Sequence, residues 1–157
     1  MSYKSIAKST KGFKIKWGKG IFPDYRDLSG PDVSQKRINR AKTIVKLILD
    51  QERNKITKAF QTFAKKKFYN QNVNVIVNID DAILMVDNTT LHTDDDELYG
   101  ASDGVQIWIS AIKMSSETLI GTILHESLHN ICTINGKDIC EKDEHIIMKS
   151  LGEILDF

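Results

Sequence analysis

The stretch from Leu124 to His129 constrains this chain more than any other, because it carries two histidines four residues apart with a glutamate directly after the first. On a helix, residues four apart lie one turn from each other, so His125 and His129 direct their imidazoles to one point in space. Two imidazoles are half of a tetrahedral zinc site. Glu126 is placed to take a proton from a water at that metal. The pattern therefore predicts the active-site helix of a zinc hydrolase.

The residues around this motif favour a core helix over a chance arrangement. Between Thr118 and Ile134 the apolar residues recur with helical period, which predicts one helix over 118–134. The two histidines lie off this apolar stripe, beside small residues that leave room for a metal and a substrate. Gly136, after Asn135, predicts the end of the helix. The alternative is an amphipathic helix that carries two ordinary surface or core histidines.

The size and composition fit a single domain of ordinary kind. The chain has 157 residues, of which 41% are hydrophobic, enough for one core. No repeat, signal-peptide-like run or membrane-length apolar stretch is visible, so we expect an intracellular, cytoplasmic protein with no membrane partner. Cys132 and Cys140 are too few for a disulfide framework. Cys132 could approach the metal, or it could be a small buried filler.

The formal net charge of +1 hides an asymmetry between two halves of the chain. Residues 1–68 hold 18 of the 22 basic residues and five acids, whereas residues 69–157 hold four basic residues and 16 acids. The halves therefore carry about +13 and −12. One interpretation is a basic surface that binds nucleic acid. The other is that the basic helices are solvated or lie against the acidic half.

The N-terminal half divides into a basic segment and two scaffold helices. Residues 1–31 are predicted to have little regular structure beyond a short edge strand at 13–17, and residues 32–157 form the domain. A capping box of Asp32 and Gln35 predicts a helix start, and helical periodicity continues to about Lys67. The polar run at 50–54 predicts a break in this helical region.

The middle of the chain shows strand patterns. Residues 73–79 alternate between apolar and polar, and the apolar run at 82–86 after an acidic dipeptide predicts a hairpin with that strand. Residues 87–103 are predicted to be a solvated loop without calcium-site spacing. Residues 105–110 form a second clear strand before the histidine helix. A free edge of this strand could pair with an extended peptide and hold a scissile bond at the metal.

Tyr99-Gly100, the strand ending in Ile107-Trp108-Ile109, the segment 122–130 and an acidic-led C-terminal helix together resemble the small gluzincin-type metallopeptidases. These include the minigluzincins, the ImmA/IrrE-like peptidases and short phage-encoded relatives. The resemblance covers roughly residues 70–157 and implies an α+β, zincin-like fold. In such a fold, scaffold helices pack on a small, mostly antiparallel sheet, followed by the active-site helix and a ligand-bearing helix. It also implies that His125 and His129 bind Zn²⁺, with Glu126 as the catalytic base.

The third zinc ligand must come from outside the motif, and the C-terminal helix offers Glu144, Glu141 and His145. Glu144 begins an apolar stripe, so it should point inward, where a buried carboxylate needs a cation. A glutamate on a downstream helix is also what the gluzincin resemblance implies. His145 is the alternative and matches the SprT-like peptidases, which act on DNA-bound proteins and use a third histidine.

The function expected from these features is hydrolysis of a peptide or protein substrate by a zinc-activated water. Tyr99, His92 and His145 are candidates for stabilising the oxyanion, although no motif places them. The alternative is a zinc-containing module, SprT-like or catalytically silent, whose basic half binds nucleic acid.

Overall fold

Five helices and seven short strands make up the part of the chain that the computed structural model describes, which is residues 7–9, 33–92, 100–110 and 116–154. In chain order these elements are β1 (Ala7–Ser9), α1 (Gln35–Gln51), α2 (Arg53–Lys67), β2 (Val75–Val77), α3 (Ile79–Asp87), β3 (Thr89–His92), β4 (Gly100–Ser102), β5 (Ile107–Ser110), α4 (Ser116–Ser127), β6 (Cys132–Ile134), β7 (Lys137–Asp138) and α5 (Glu141–Ile154). The fold is α+β, as predicted.

The first two helices follow the sequence prediction closely. Glu52 separates α1 from α2, which confirms the predicted break in the polar run at 50–54. The helix start differs from the prediction: the N-cap is Ser34, whose side chain accepts a hydrogen bond from the Arg37 N–H at 3.2 Å. Asp32 and the strand predicted at 13–17 lie outside the described residues. Within the predicted irregular segment 1–31, the described residues 7–9 form β1.

Two small sheets contain the strands. The four-stranded sheet has the order β1-β4-β5-β3, in which only the β3–β5 pair is parallel, and the three-stranded sheet has the antiparallel order β2-β6-β7. The prediction of a mostly antiparallel arrangement is therefore confirmed. The prediction of a free substrate-binding edge on the strand at 105–110 is wrong, because β5 pairs with β4 on one side and β3 on the other.

The segment from residue 79 to 92 differs from its prediction. Residues 82–86 are not a hairpin strand but part of α3, because Ile79, Ala82 and Val86 recur at helical spacing and are buried. Asp80 and Asp81 occupy the first turn of α3, where carboxylates interact favourably with the helix dipole. The loop predicted at 87–103 contains β3 and β4.

Helix α4 is the centre of the molecule. From residue 119 to residue 129 every residue is buried, and α1, α3, β4 and β5 pack around the helix. Helix α5 packs on α2. A helix covered on all sides can hold polar groups in a dry environment, which raises the energetic cost of leaving them without partners.

Part of the charge asymmetry is neutralised between the halves. Lys46 pairs with Asp87 at 2.7 Å, Arg53 pairs with Asp80 at 2.7 Å, and Lys67 pairs with Asp143. Each of these pairs joins a basic scaffold helix to an element of the acidic half. Within the described ranges, no helix combines the length and apolar character that crossing a membrane would need.

Candidate metal centre

Three histidines converge between α4 and α5. His125 lies in the last turn of α4, His129 lies just beyond its end, and His145 lies in the second turn of α5. One ligand atom from each of these histidines lies within 4.8 Å of the other two. The ring centroids of His125 and His129 are 5.0 Å apart, and those of His125 and His145 are 5.4 Å apart. The structure thus supplies a third imidazole to the pair that the motif predicted.

The end of α4 sets the position of His129. The predicted helix over 118–134 is too long, since α4 ends at Ser127 and β6 begins at Cys132. The Leu128 and His129 N–H groups donate to carbonyls three residues back, at 3.2 and 3.4 Å, which tightens the last turn. Asn130 then adopts a φ of 62°, a left-handed conformation that asparagine tolerates better than most residues. His129 is therefore held by a turn between a helix and a strand.

Glu144 is buried, as predicted, but its carboxylate contacts His129 and is not part of the histidine cluster. Its Oε2 lies 2.7 Å from His129 Nδ1, and its Oε1 accepts a hydrogen bond from the Asn130 N–H at 3.0 Å. Burial raises the pKa of Glu144 to about 7. When Glu144 is ionised, it requires the proton on His129 Nδ1, so Nε2 of His129 presents its lone pair towards His125. The carboxylate predicted as the third ligand is therefore positioned to hold the His129 ring in one orientation.

Burial keeps His125 and His129 neutral. Burial, and then the neighbouring His129 and His145, lower the pKa of His125 to about 3. Burial, and then His145, lower the pKa of His129 to about 3, and Glu141 opposes this. A neutral imidazole is the form that binds a metal ion. Near neutral pH, both side chains are therefore ready to bind without first losing a proton.

Glu126 lies beside His125 with its side chain fully buried, at 0% exposure. Among the described residues neither carboxylate oxygen has a hydrogen-bond partner, and the hydroxyl of neighbouring Ser102 is likewise unpartnered. Burial raises the pKa of Glu126 well above its ordinary value, although Ser102 opposes this shift and Glu141 and Glu144 add to it. Burying a carboxyl group without hydrogen-bond partners costs free energy, so its presence here points to a bound ligand or a catalytic role.

Strand β4 approaches α4 closely at Gly100. A Cβ added at Gly100 would lie 3.1 Å from Thr122 Cγ2, 3.1 Å from the Trp108 carbonyl oxygen and 3.5 Å from Glu126 Cγ. Glycine favours this approach, because an added Cβ would require its neighbours to move by a few tenths of an ångström. The close contact places β4, and with it Ser102, against the helix face that carries Glu126.

Two further predicted candidates, Glu141 and Cys132, lie outside the three-histidine group. Glu141 is half-buried in the first turn of α5, and Cys132 is buried as a thiol whose pKa is raised to about 12, chiefly by burial. Neither belongs to the three-histidine group. Tyr99 and the side chain of His92 lie outside the described part of the chain.

Three residues that shape the centre were not predicted as site residues from the sequence. Asn130, Ser102 and Gly100 act through backbone conformation or close approach. An asparagine directly after the second histidine was the only usable hint, since asparagine is common at helix ends that turn into the left-handed region.

The spacing of the histidines fits a metal. Two nitrogens bound to one tetrahedral zinc at about 2.0–2.1 Å lie roughly 3.3–3.4 Å apart. The Nε2 atoms of His125 and His129 are 3.2 Å apart. The three imidazoles can therefore hold a metal ion, and three protein ligands leave one position of a tetrahedral ion open. Comparisons with protein-family models, with curated proteins and with solved structures find no match for this chain.

Proposed function

We propose that this protein is a zinc-dependent metallopeptidase in which His125, His129 and His145 bind Zn²⁺ and Glu126 is the general base. The observation that carries the proposal is the convergence of three imidazoles beside a buried carboxylate that has no partner among the described residues. A structural zinc site closes its coordination with a fourth protein ligand and needs no base, whereas a catalytic site keeps an open position.

The third ligand in this proposal is His145, not the Glu144 expected from the gluzincin resemblance. His145 offers its nitrogen to the cluster, whereas Glu144 already accepts hydrogen bonds from His129 and Asn130. Carboxylates that hold a ligating imidazole in this way fix its tautomer and strengthen its binding to metal. Glu144 is therefore a positioning residue.

Glu126 performs the proton transfers. Zinc would supply Lewis-acid polarisation of the substrate carbonyl and a more acidic water. The Glu126 carboxylate takes a proton from the attacking water and delivers it to the leaving amine nitrogen. Its raised pKa brings its basicity closer to that required near neutral pH, and its burial keeps competing water away.

The test compares wild type with Glu126→Gln, which keeps the size of the side chain and removes the base. Metal content is measured by elemental analysis, and cleavage is measured on a mixed peptide library by mass spectrometry. We expect stoichiometric zinc in both proteins, and in the variant a fall in turnover of about 10²-fold to 10⁴-fold. Chelation should abolish cleavage by wild type, and zinc should restore it. A variant that cleaves at the wild-type rate would rule out this mechanism.

A second candidate function is that of a metal-containing protein that associates with nucleic acid. A three-histidine set is what the SprT-like comparison implies, and 18 of the basic residues lie in the first 68. In this candidate function the protein associates with nucleic acid. Its metal site either cleaves DNA-bound proteins or has no catalytic activity. Sequence-tolerant DNA binding that weakens steeply with salt would support this candidate. An absence of DNA binding at low salt would remove it.

A further inference from the structure

A groove of about 620 Å³ runs between α2 and α5, on a part of the surface not used by the metal centre. Phe63, Ile146 and Ile147 are among the apolar residues of its lining, and Ile146 is 49% exposed. Large aliphatic side chains at the surface of a helix–helix groove are a common feature of protein interaction sites. The Lys67–Asp143 ion pair joins the two helices near the start of α5.

The two walls of the groove differ in charge. The α2 wall carries Lys55, Lys58 and Lys66, whereas the α5 wall contributes Ile146, Ile147 and Ser150. Lys55 pairs with Glu52 at 3.3 Å, and in the described ranges no carboxylate pairs with Lys58 or Lys66. A ligand that matches this surface must be apolar on one side and negatively charged on the other.

The dimensions fit a short helical or extended polypeptide. Lys55 and Lys66 are eleven residues apart on α2, a rise of about 16 Å, or three helical turns. Single-stranded nucleic acid is a poorer match, because it prefers aromatic stacking platforms along a basic channel. Here the floor is mainly aliphatic and only one wall is basic.

The groove lies close to the proposed catalytic site along α5. Ile146 also lines a second opening of about 520 Å³, and His145 lines that opening as well. A polypeptide held in the groove would therefore have its neighbouring segments within reach of the histidine cluster. Binding at a distance from the scissile bond raises the effective concentration of that bond at the site.

We propose that the groove between α2 and α5 is a docking site for an acidic, amphipathic segment of a protein substrate, with carboxylates on Lys58 and Lys66 and apolar side chains on Ile146. The identification of the bound protein as a substrate rests on the proposed function, whereas the docking itself does not.

The binding test uses full-length Glu126→Gln protein, so that binding is measured without cleavage. The probe is a fluorescein-labelled peptide of about 14 residues, made of Glu, Ala and Leu with leucines along one helical face, long enough for the three turns of the groove. Fluorescence anisotropy gives its Kd. Lys58→Glu/Lys66→Glu should weaken binding by about tenfold or more. The control Lys36→Glu/Lys137→Glu makes the same change in net charge outside the groove lining and should leave Kd near its starting value.

The apolar half of the proposal has its own variant. Ile146→Ser changes no charge and should weaken binding by about fivefold, because exposed aliphatic surface is lost from the α5 wall. Equal losses in the two lysine variants would show only general charge attraction and would overturn the proposal. So would displacement of the peptide by an oligonucleotide that binds the groove more tightly, or no binding at all.

A cleavage test with wild-type active-site residues separates docking from catalysis. Two protein substrates share one cleavable sequence, and one of them carries the acidic segment. With Lys58→Glu/Lys66→Glu, kcat/KM should fall only for the substrate with the segment. Peptide binding without any cleavage would leave the docking site standing and reject the proposed peptidase. Equal cleavage of both substrates, with no peptide binding, would leave the peptidase standing and reject the docking site.

Discussion

Glu144 and His145 are neighbours on α5, yet they occupy different positions in the candidate metal centre. Successive residues on a helix point about 100° apart, so only one of the two can face a given point. His145 faces the other histidines, and Glu144, at 2% exposure, contacts the back of the His129 ring through Nδ1. The pair therefore supplies one proposed ligand and one group that orients another.

This division predicts different zinc affinities for single variants. Glu144→Gln should lower zinc affinity by about 10-fold to 100-fold, because it removes the charge that orients His129. His145→Ala should lower it further, because it removes a ligand. Lys149→Gln, which removes an exposed charge from the same helix, is the control and should keep affinity near that of wild type. Competition with a chromophoric chelator measures all three. If Glu144→Ala alone abolished binding, the ligand would be the carboxylate predicted from the sequence.

Cys132 predicts a pH dependence of stability. Burial, and then Glu144 and Asp138, raise the pKa of this thiol from 9.0 to about 12. The folded state therefore keeps a proton that the unfolded chain loses above pH 9. Stability is complete below pH 9 and should fall as the pH rises towards 12, by up to about 1.4 kcal/mol per pH unit. Urea unfolding between pH 7.5 and 10.5 should show this slope in wild type and a shallower slope in Cys132→Ala. Cys140→Ala controls for removal of an exposed thiol, and equal slopes in wild type and Cys132→Ala would contradict the assignment.

The position of the proposed base, Glu126, depends on the packing of strand β4 against helix α4. At Gly100 the strand backbone passes the helix so closely that an added methyl would meet the Trp108 carbonyl, which cannot move aside cheaply. Glu126 and Ser102 lie on the two sides of this contact.

Gly100→Ala should therefore destabilise the protein by about 1–3 kcal/mol through overpacking. Turnover should fall as well, because β4 would shift relative to Glu126. Chemical denaturation and peptide cleavage measure the two effects. The double variant Gly100→Ala/Thr122→Ser removes the Cγ2 atom on the helix side and should recover part of the stability. A Gly100→Ala protein as stable as wild type would show that the contact is looser than described.

The sequence predicted the elements whose patterns are local. The two scaffold helices with their break at Glu52, the strand around Val75–Val77 and the pair His125 and His129 all follow from spacing along the chain. The run at 82–86 was misassigned, since a short apolar run fits a buried strand or a helix equally well. The sequence predicted that Glu144 points inward, but it could not predict that the Glu144 carboxylate contacts His129.

At the scale of the whole molecule, the candidate metal centre joins the central helix to the last one. His125 and His129 belong to α4 and the turn after it, and His145 belongs to α5. A zinc ion that binds only the folded protein adds stability by mass action, about 4 kcal/mol when its concentration is a thousand times Kd.

Removal of the metal should lower the melting temperature by roughly 10 °C, since each kcal/mol corresponds to about 2–4 °C for a domain of this size. Differential scanning calorimetry with and without a chelator measures the shift. A His129→Ala/His145→Ala protein serves as the control and should melt at the same temperature under both conditions. Identical melting of wild type with and without zinc would contradict a site that links α4 to α5.

Because the left-handed turn at Asn130 connects His129 directly to β6, the distance between His125 and His129 depends on the register in which β6 pairs with β2. His129 is fixed on one side by α4 and on the other by β6, whose residue Cys132 is paired with Val77 of β2. A slip of one residue in that pairing would displace the chain by about 3.3 Å, as much as the whole separation of the two Nε2 atoms. The pairing of β2 with β6 thus helps to set the spacing of the two histidines. An insertion or deletion in β2 would change this spacing although β2 contains neither histidine.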